Sequence, residues 1–280
     1  MEGTRWGRVL RECIGNIHRE AKITFCRVPE PEKWVFVVGC YNSGTTLLRK
    51  ILGSHPQINA LSAEGQYLTD QLPSDHEIGL SRMWVKREDI YRLTEMDEGP
   101  DVTRIKKEWG MRLEGSGSLI LDQTPANAAR TRWIQKNFNN SYFIGMIRDG
   151  YAVSEGISRK ANPVHSKNGW SLKDAAYQWS RSNEILLEDS DRLDNFAWCK
   201  YEDLTENPSV EIKRLTSFLG ITDIDQSALK RSWSVHERDT GIRNMNGESF
   251  GRLTGEQVGI ITPVIECMMG KFGYEIHLYD

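Results

Sequence analysis

The sequence predicts an α/β domain in three layers, with helices on both faces of a central parallel sheet. Three observations carry that expectation. The continuous apolar run Trp34-Val35-Phe36-Val37-Val38 suits a strand buried on both faces. A glycine-bearing turn follows it and leads into Leu47, Leu48, Ile51 and Leu52 at helical spacing, stopped by Gly53 and His55-Pro56. Further apolar runs at 118–121, 142–147 and 196–200 each precede a helical pattern, which is the alternation of βαβ units.

The remaining elements follow from start and stop signals. Residues 5–18 carry Trp6, Val9, Leu10, Cys13, Ile14 and Ile17 on one helical stripe, with Arg5, Arg8, Arg11 and Arg19 making the helix basic, so residues 1–33 read as an N-terminal helical extension. Residues 67–117 are the least regular stretch, with Trp84 and Trp109 among many charges, and read as an insertion on the acceptor side of the site. Ser171 followed by Asp174 resembles a capping box and opens a helix that turns Leu172, Ala175, Ala176, Trp179 and Leu186 inward. Asn207 as N-cap and Pro208 at the first helical position open another, which buries Ile212, Leu215, Phe218 and Leu219 and stops at Gly220. No repeat or Gly/Ser linker interrupts the 280 residues, so one domain over 1–280 is expected.

Composition removes several function classes. Lys and Arg number 36 against 39 Asp and Glu, and a net charge of −3 lacks the basic excess of a non-specific nucleic-acid binder. No apolar run approaches the ~20 residues of a membrane span, and no signal-peptide core is visible. The five cysteines (Cys13, Cys26, Cys40, Cys199, Cys267) form no C-x-x-C pair and read as reduced thiols of a cytoplasmic chain without a metal site. The glycosylation sequon Asn139-Asn140-Ser141 is then a chance match.

Gly39-Cys40-Tyr41-Asn42-Ser43-Gly44-Thr45-Thr46 has the glycine spacing and the strand-to-helix setting of a P-loop, so the fold is expected to be P-loop-like. Its consecutive N–H groups and the following helix N-terminus suit an anion. An ATP- or GTP-binding loop carries Lys after the second glycine, and here that residue is Thr45. No acidic strand end is evident for Mg²⁺, so the loop suits a smaller anion held by amides and hydroxyls.

Ser43-Gly44-Thr45-Thr46-Leu47 after an apolar strand resembles the 5′-phosphosulfate loop of the sulfotransferases that use 3′-phosphoadenosine 5′-phosphosulfate (PAPS). Four later segments agree in order. Met146-Ile147-Arg148-Asp149-Gly150, continuing through Ser154 to Arg159, is similar to the family's 3′-phosphate motif. Lys200-Tyr201-Glu202-Asp203-Leu204, then Asn207-Pro208, resembles its Tyr-Glu-Asp-Leu segment, whose Tyr lies near the adenine. Phe218-Leu219-Gly220, and Arg252-Leu253 followed by a helix to Phe272-Gly273-Tyr274, also match. The chain resembles soluble bacterial members and the tyrosylprotein sulfotransferases, the latter through the stretch from Gly44 to Glu64.

The resemblance implies a set of roles. Tyr41, Asn42, Ser43, Gly44, Thr45 and Thr46 would hold the phosphosulfate, and Arg148, Ser154 and Arg159 the 3′-phosphate. Tyr201 would lie at the adenine, and Arg252 would close over the donor. PAPS would be the cofactor, with adenosine 3′,5′-bisphosphate as its product and no metal ion. Glu64 would be the general base, since the cytosolic members' Lys-Thr-His segment is matched here by Asp122-Gln123-Thr124-Pro125, without a His. The structural alternatives are a solvated carboxylate for Glu64 and surface ion pairs for the arginines.

Two departures stand out. Many members place Arg or Lys just before Ser43, where this chain has Asn42, and many place Lys where it has Gln123. Both positions serve catalysis by carrying charge on the sulfonate, so Arg49, Lys50 or Arg252 is expected to compensate. Three functions stay open: a PAPS-dependent sulfotransferase, a P-loop nucleotide kinase or NTPase, and a non-catalytic adenosine 3′,5′-bisphosphate binder. For the first, the acceptor is a hydroxyl or amine nitrogen of a small polar product of secondary metabolism. A cationic acceptor follows if the acidic residues Glu88, Asp89, Glu95, Asp97, Glu98 and Asp101 face the site, with Trp84, Trp109, His165 and Trp170 lining it; otherwise that stretch is a solvated face.

Overall fold

Strand β1 (Lys33–Gly39) shows why the apolar run is continuous. Trp34, Phe36 and Val38 enter one buried cluster with Phe143, Trp109 and Trp133, while Val35 and Val37 enter another with Leu48, Ile51 and Leu52. Both faces are covered, so neither register of side chains is free to be polar. The computed structural model describes residues 17–160, 169–235 and 238–277, and the basic stripe over 5–16 and His165 lie outside the described residues.

Beside β1 stand β2 (Ile58–Ala60), β3 (Leu119–Gln123), β4 (Ser141–Ile147) and β5 (Phe196–Lys200). The order is β2-β3-β1-β4-β5, with every pairing parallel. The register sets Val37 beside Gln123 and Gly39 beside Met146, so the carboxyl ends of β1, β3 and β4 finish together. In open parallel sheets that edge is where ligands bind.

Helix α1 (Thr45–Gly53) packs on β1, β2 and β3 through Leu47, Leu48, Ile51 and Leu52. On the opposite face lie α2 (Val102–Gly110), α3 (Thr131–Asn137), α4 (Gly150–Lys160) and α5 (Leu172–Ser190). Helices α6 (Tyr201–Glu206), α7 (Pro208–Leu219), α8 (Asn246–Phe250) and α9 (Gly255–Lys271) complete the chain, with an antiparallel pair at Trp233–Val235 and Arg238–Thr240. The three-layer α/β expectation holds.

Several local expectations are refined. Ser171 accepts from the Asp174 N–H at 3.0 Å, but its hydroxyl donates to the Asp174 carboxylate at 2.7 Å, so the reciprocal arm of the box is side chain to side chain. Pro208 opens α7 as expected, but the Asn207 side chain makes no cap bond, and Phe218 is only half-buried. The reciprocal capping box belongs to Thr254 and Gln257 at the start of α9.

The 67–117 stretch is anchored by its aromatics. Trp84 and Trp109 are fully buried, Trp109 against Trp34, Phe36 and Phe138, so neither lines a ligand site. Two of its acidic residues are tied to the body, Glu88 to Arg181 at 2.7 Å and Glu95 to Arg132, and Asp89 pairs within the stretch with Arg87 at 2.9 Å. Asp97 accepts from the Thr94 N–H, and Asp101 caps α2. No helix of the described residues is long and apolar enough to cross a membrane.

Candidate active site

At the carboxyl edge of the sheet, the β1–α1 loop forms the floor of a cavity of about 620 Å³. Its wall includes Tyr41, Asn42, Gly44, Thr45, Thr46, Glu64, Arg82, Arg148, Gly156, Arg159, Lys160, Tyr201, Arg243 and Arg252, drawn from segments that the sequence holds far apart.

The loop is a set of unspent donors. The N–H groups of Gly44, Thr45, Thr46 and Leu47 find no acceptor among the described residues, as expected of a helix start whose cap, Gly44, has no side chain. Ser43 Oγ and Asn42 Nδ2 are buried and likewise unpartnered. Gly44 has φ 95°, and a Cβ there would meet the Tyr201 ring at 2.6 Å, so only glycine fits. Buried orphan donors at a helix N-terminus fit a phosphate-like anion.

Around this floor stand cations, of which Arg148, Arg82 and Lys160 pair with no carboxylate among the described residues. Arg148 donates from Nη1 to the Asn42 carbonyl at 3.0 Å and from Nε to Asn246 Oδ1 at 2.8 Å, with its guanidinium 4.1 Å over the Tyr201 ring. The Tyr201 hydroxyl accepts from the Met245 N–H and donates to the Arg243 carbonyl. Arg82 and Lys160 both donate to Asn42 Oδ1, at 2.9 and 3.4 Å. Burial, with Arg82, Arg159 and Arg148 nearby, pushes the Lys160 ammonium down to about 8. Arg159 and Arg252 share Glu155, at 2.5 and 3.4 Å, on the rim.

Glu64 faces the loop from the other side. Burial first, then the Asp75 and Asp122 carboxylates, push its carboxyl up to about 8, against the opposing pull of Gln66 and Arg82. Its position is fixed by the next residue. The Gly65 N–H donates to Asp122 Oδ1 at 2.9 Å and Thr124 Oγ1 at 2.8 Å, and the Gly65 carbonyl accepts from Trp109 Nε1 at 3.0 Å.

The fold therefore gathers Tyr41, Asn42, Gly44, Thr45, Thr46, Glu64, Arg148, Arg159, Tyr201 and Arg252 around one cavity, with Ser43 buried beneath it. Two expected residues stay out. Gln123 is buried behind the loop and donates to Thr45 Oγ1 at 3.0 Å, which leaves the Thr45 hydroxyl free to donate forward. Ser154 is fully buried and donates to the Gly150 carbonyl at 2.7 Å, satisfied within its own helix, while Gly156, two residues on, lines the wall.

The expected compensating cations also change. Arg49 donates to the Leu61 carbonyl and pairs with Glu114, and neither it nor Lys50 lines the cavity. No residue of 88–101 lines it either, so the acidic stretch does not face the cavity as a cationic acceptor would require. Trp170 stands one layer behind, donating to the Ser81 carbonyl. Arg82, Lys160, Arg243, Tyr67, Asp75 and His76 were not singled out by the sequence reading, and no local pattern marks them.

The profile of the sulfotransferase family matches residues 35–225. Protein-tyrosine sulfotransferase A of Caenorhabditis elegans is 26% identical over 271 residues, 86% of this chain and 67% of that protein. Protein-tyrosine sulfotransferase 1 of Danio rerio is 26% identical over 266 residues, 87% and 72% of the two chains. The chain spans about two thirds of the length of the first curated relatives it matches. The sulfotransferase domain of the Synechococcus PCC 7002 olefin synthase superposes with a TM-score of 0.57 at 18% identity, covering 90% of this chain and 99% of that domain, a likeness of fold. With the family profile spanning the loop, Glu64 and the Tyr201 segment, the chain belongs to the sulfotransferase family.

Proposed function

We propose that this chain transfers the sulfuryl group of PAPS to a hydroxyl or amine nitrogen of a small polar metabolite, with Glu64 as general base. One observation carries the reading: a helix start with unpartnered N–H groups and unpaired cations opens into the same cavity as a carboxyl whose proton affinity has been raised toward neutrality.

PAPS, when bound, supplies the activated sulfuryl group as a phosphosulfate anhydride. The amides of Gly44 to Leu47 and the Thr45 and Thr46 hydroxyls bind the 5′-phosphate and oppose the charge that gathers on the bridging oxygen. Arg148 and Arg159 bind the 3′-phosphate, Arg148 as a charge-assisted fork. Tyr201, already stacked on Arg148, orients the nucleoside end, and Arg252 covers it. Glu64 holds the acceptor and receives its proton at a carboxylate oxygen, for which a group titrating near 8 is a suitable partner. The sequence's second and third functions are weaker here: Thr45 offers no ammonium to a triphosphate, and a mere binder has no need of a raised carboxyl beside its anion site.

A tyrosine hydroxyl of a protein acceptor is the second reading, favoured by the names of the two animal relatives. The four described cysteines are unpaired, which fits a cytoplasmic setting and the small-molecule reading. The test is incubation with ³⁵S-labelled PAPS and either a metabolite extract or tyrosine-bearing peptides. Label in a small-molecule fraction supports the first reading and label in peptide supports the second. Stabilisation by ATP with Mg²⁺ but not by adenosine 3′,5′-bisphosphate would overturn both.

A further inference from the structure

Apart from Asn140 at the start of β4, two described residues other than glycine hold left-handed backbone, and they meet: Asn42 with φ 63° and Arg82 with φ 61°. Such a conformation costs about 1–2 kcal/mol for a residue with a Cβ and persists where the surroundings hold it. Arg82 is held on both sides. Its N–H donates to Asp75 Oδ2 at 2.9 Å, the preceding Ser81 carbonyl accepts from Trp170 at 2.8 Å, and the following Met83 and Trp84 are fully buried.

That clamp sends the guanidinium across the cavity to Asn42 Oδ1 at 2.9 Å. Among the described residues it pairs with no carboxylate, and its Nε and Nη2 make no hydrogen bond. A half-buried cation with most of its donors unspent, on a strained backbone, does nothing for the stability of the fold. It is poised for an anion arriving beside Asn42, the loop position at which the family resemblance implies a cation.

We propose that Arg82, steered by Asn42 Oδ1, supplies from the 67–117 insertion the positive charge on the transferring sulfuryl oxygens that the loop itself lacks. The inference rests on the sulfuryl-transfer reading above. In that step the acceptor atom bonds to sulfur, and the bond from sulfur to the 5′-phosphate oxygen breaks with its electron pair left on that oxygen. The acceptor proton passes to Glu64, and nothing is oxidised or reduced. Arg82 is better placed than Lys160 for this task. Its bond to Asn42 Oδ1 is the shorter, 2.9 Å against 3.4 Å for Lys160, and it lies near enough to act on the Glu64 carboxyl.

Paired affinities test it without knowledge of the acceptor. PAPS and adenosine 3′,5′-bisphosphate differ by the sulfuryl group, so calorimetric titration of each into wild type, Arg82→Gln and Arg82→Lys isolates contacts to that group. Arg82→Gln is expected to weaken PAPS at least tenfold and the bisphosphate less than twofold. Arg82→Lys recovers part of the loss, and so does Asn42→Lys placed in the Arg82→Gln background. Equal weakening of both ligands, or of neither, overturns the proposal, and Arg82→Lys with a wild-type melting curve guards against a misfolded variant. A wild type that binds neither ligand overturns the donor reading itself, an outcome distinct from any loss confined to the variants.

Discussion

Replacing Glu64 with Gln separates the cost of the site from its chemistry. In the folded chain the Glu64 carboxyl titrates near 8, against 4.5 for an unperturbed glutamate. A group whose folded value is raised keeps its proton in the folded state while the unfolded chain has released it. Wild type therefore loses stability relative to the Gln variant as pH rises from 4.5 to about 8, and the difference is constant outside that window. The gap sets a ceiling of roughly 5 kcal/mol, which water entry and relaxation cut to about 1–3 kcal/mol. For a chain of this size that is about 2–8 °C in Tm. The assay is a pair of melting curves at pH 5 and pH 8.5: near-equal Tm at the lower pH and a more stable Gln variant at the higher. The same substitution should abolish transfer while leaving bisphosphate affinity nearly intact. Wild-type kcat/KM should climb through pH 8 as the base ionises, and kcat should climb later because the bound donor's negative charge raises Glu64 further. A Tm difference independent of pH, or turnover untouched by the substitution, refutes the assignment.

Arg148→Ala should lower bisphosphate affinity by about 2 kcal/mol, roughly 30-fold, because a buried phosphate loses its forked partner; equal affinity by calorimetry counts against that placement. Ser154→Ala should change bisphosphate affinity less than twofold, since the hydroxyl is spent on the Gly150 carbonyl; a tenfold loss would mean it turns into the cavity on binding. Gly65→Ala would bring a Cβ to 2.5 Å from the Trp109 ring and 2.9 Å from Asp122, so kcat should fall at least tenfold, with bisphosphate affinity kept, as Glu64 is displaced. Wild-type transfer rates in that variant would show that Gly65 does not position the base.

The parts of the fold legible in the sequence are those where one physical demand acts along the chain. Trp34 to Val38 reads as a buried strand because both faces meet a core, and Gly44 reads as the loop's hinge because φ 95° and the Tyr201 ring exclude a Cβ. Strand β2 is three residues long and sits beside β3 only, too short for periodicity to register. Side-chain direction was the second blind spot. Ser154 and Gly156 differ by two positions on α4, yet one bonds its own helix and the other faces the cavity. Gln123 stands in register beside Val37 at the sheet's working edge and still spends its amide on Thr45 rather than on a ligand. Arg82 was beyond reach for a different reason: its direction depends on a left-handed φ held by Asp75, by the buried Met83 beside it and by Trp170 from far along the chain, a combination with no local pattern.

Charge and strain gather at one place in this molecule, and the two have a common cause. Asn42 and Arg82 both hold backbone conformations that favour glycine, and Arg82, Lys160 and Arg148 all direct donors at Asn42. Burial lowers the Lys160 ammonium and the neighbouring Arg82, Arg159 and Arg148 add repulsion, while burial holds Glu64 against ionisation on the opposite wall. Several arginines elsewhere are paired: Arg92 with Asp189 at 2.6 Å, Arg104 with Glu20 and Asp70, Arg181 with Glu88. Those cations are neutralised by carboxylates, whereas Arg82, Lys160 and Arg148 pair with none among the described residues. An anion at the loop would relieve the repulsion and satisfy the orphan amides together, so binding and conformational strain are coupled through Asn42. A lysine at position 42 would place the charge directly, but on a loop whose own left-handed turn it would have to share. Delivery of the charge from the insertion leaves position 42 with a short side chain, which a Cβ added at Gly156 would already meet at 3.5 Å.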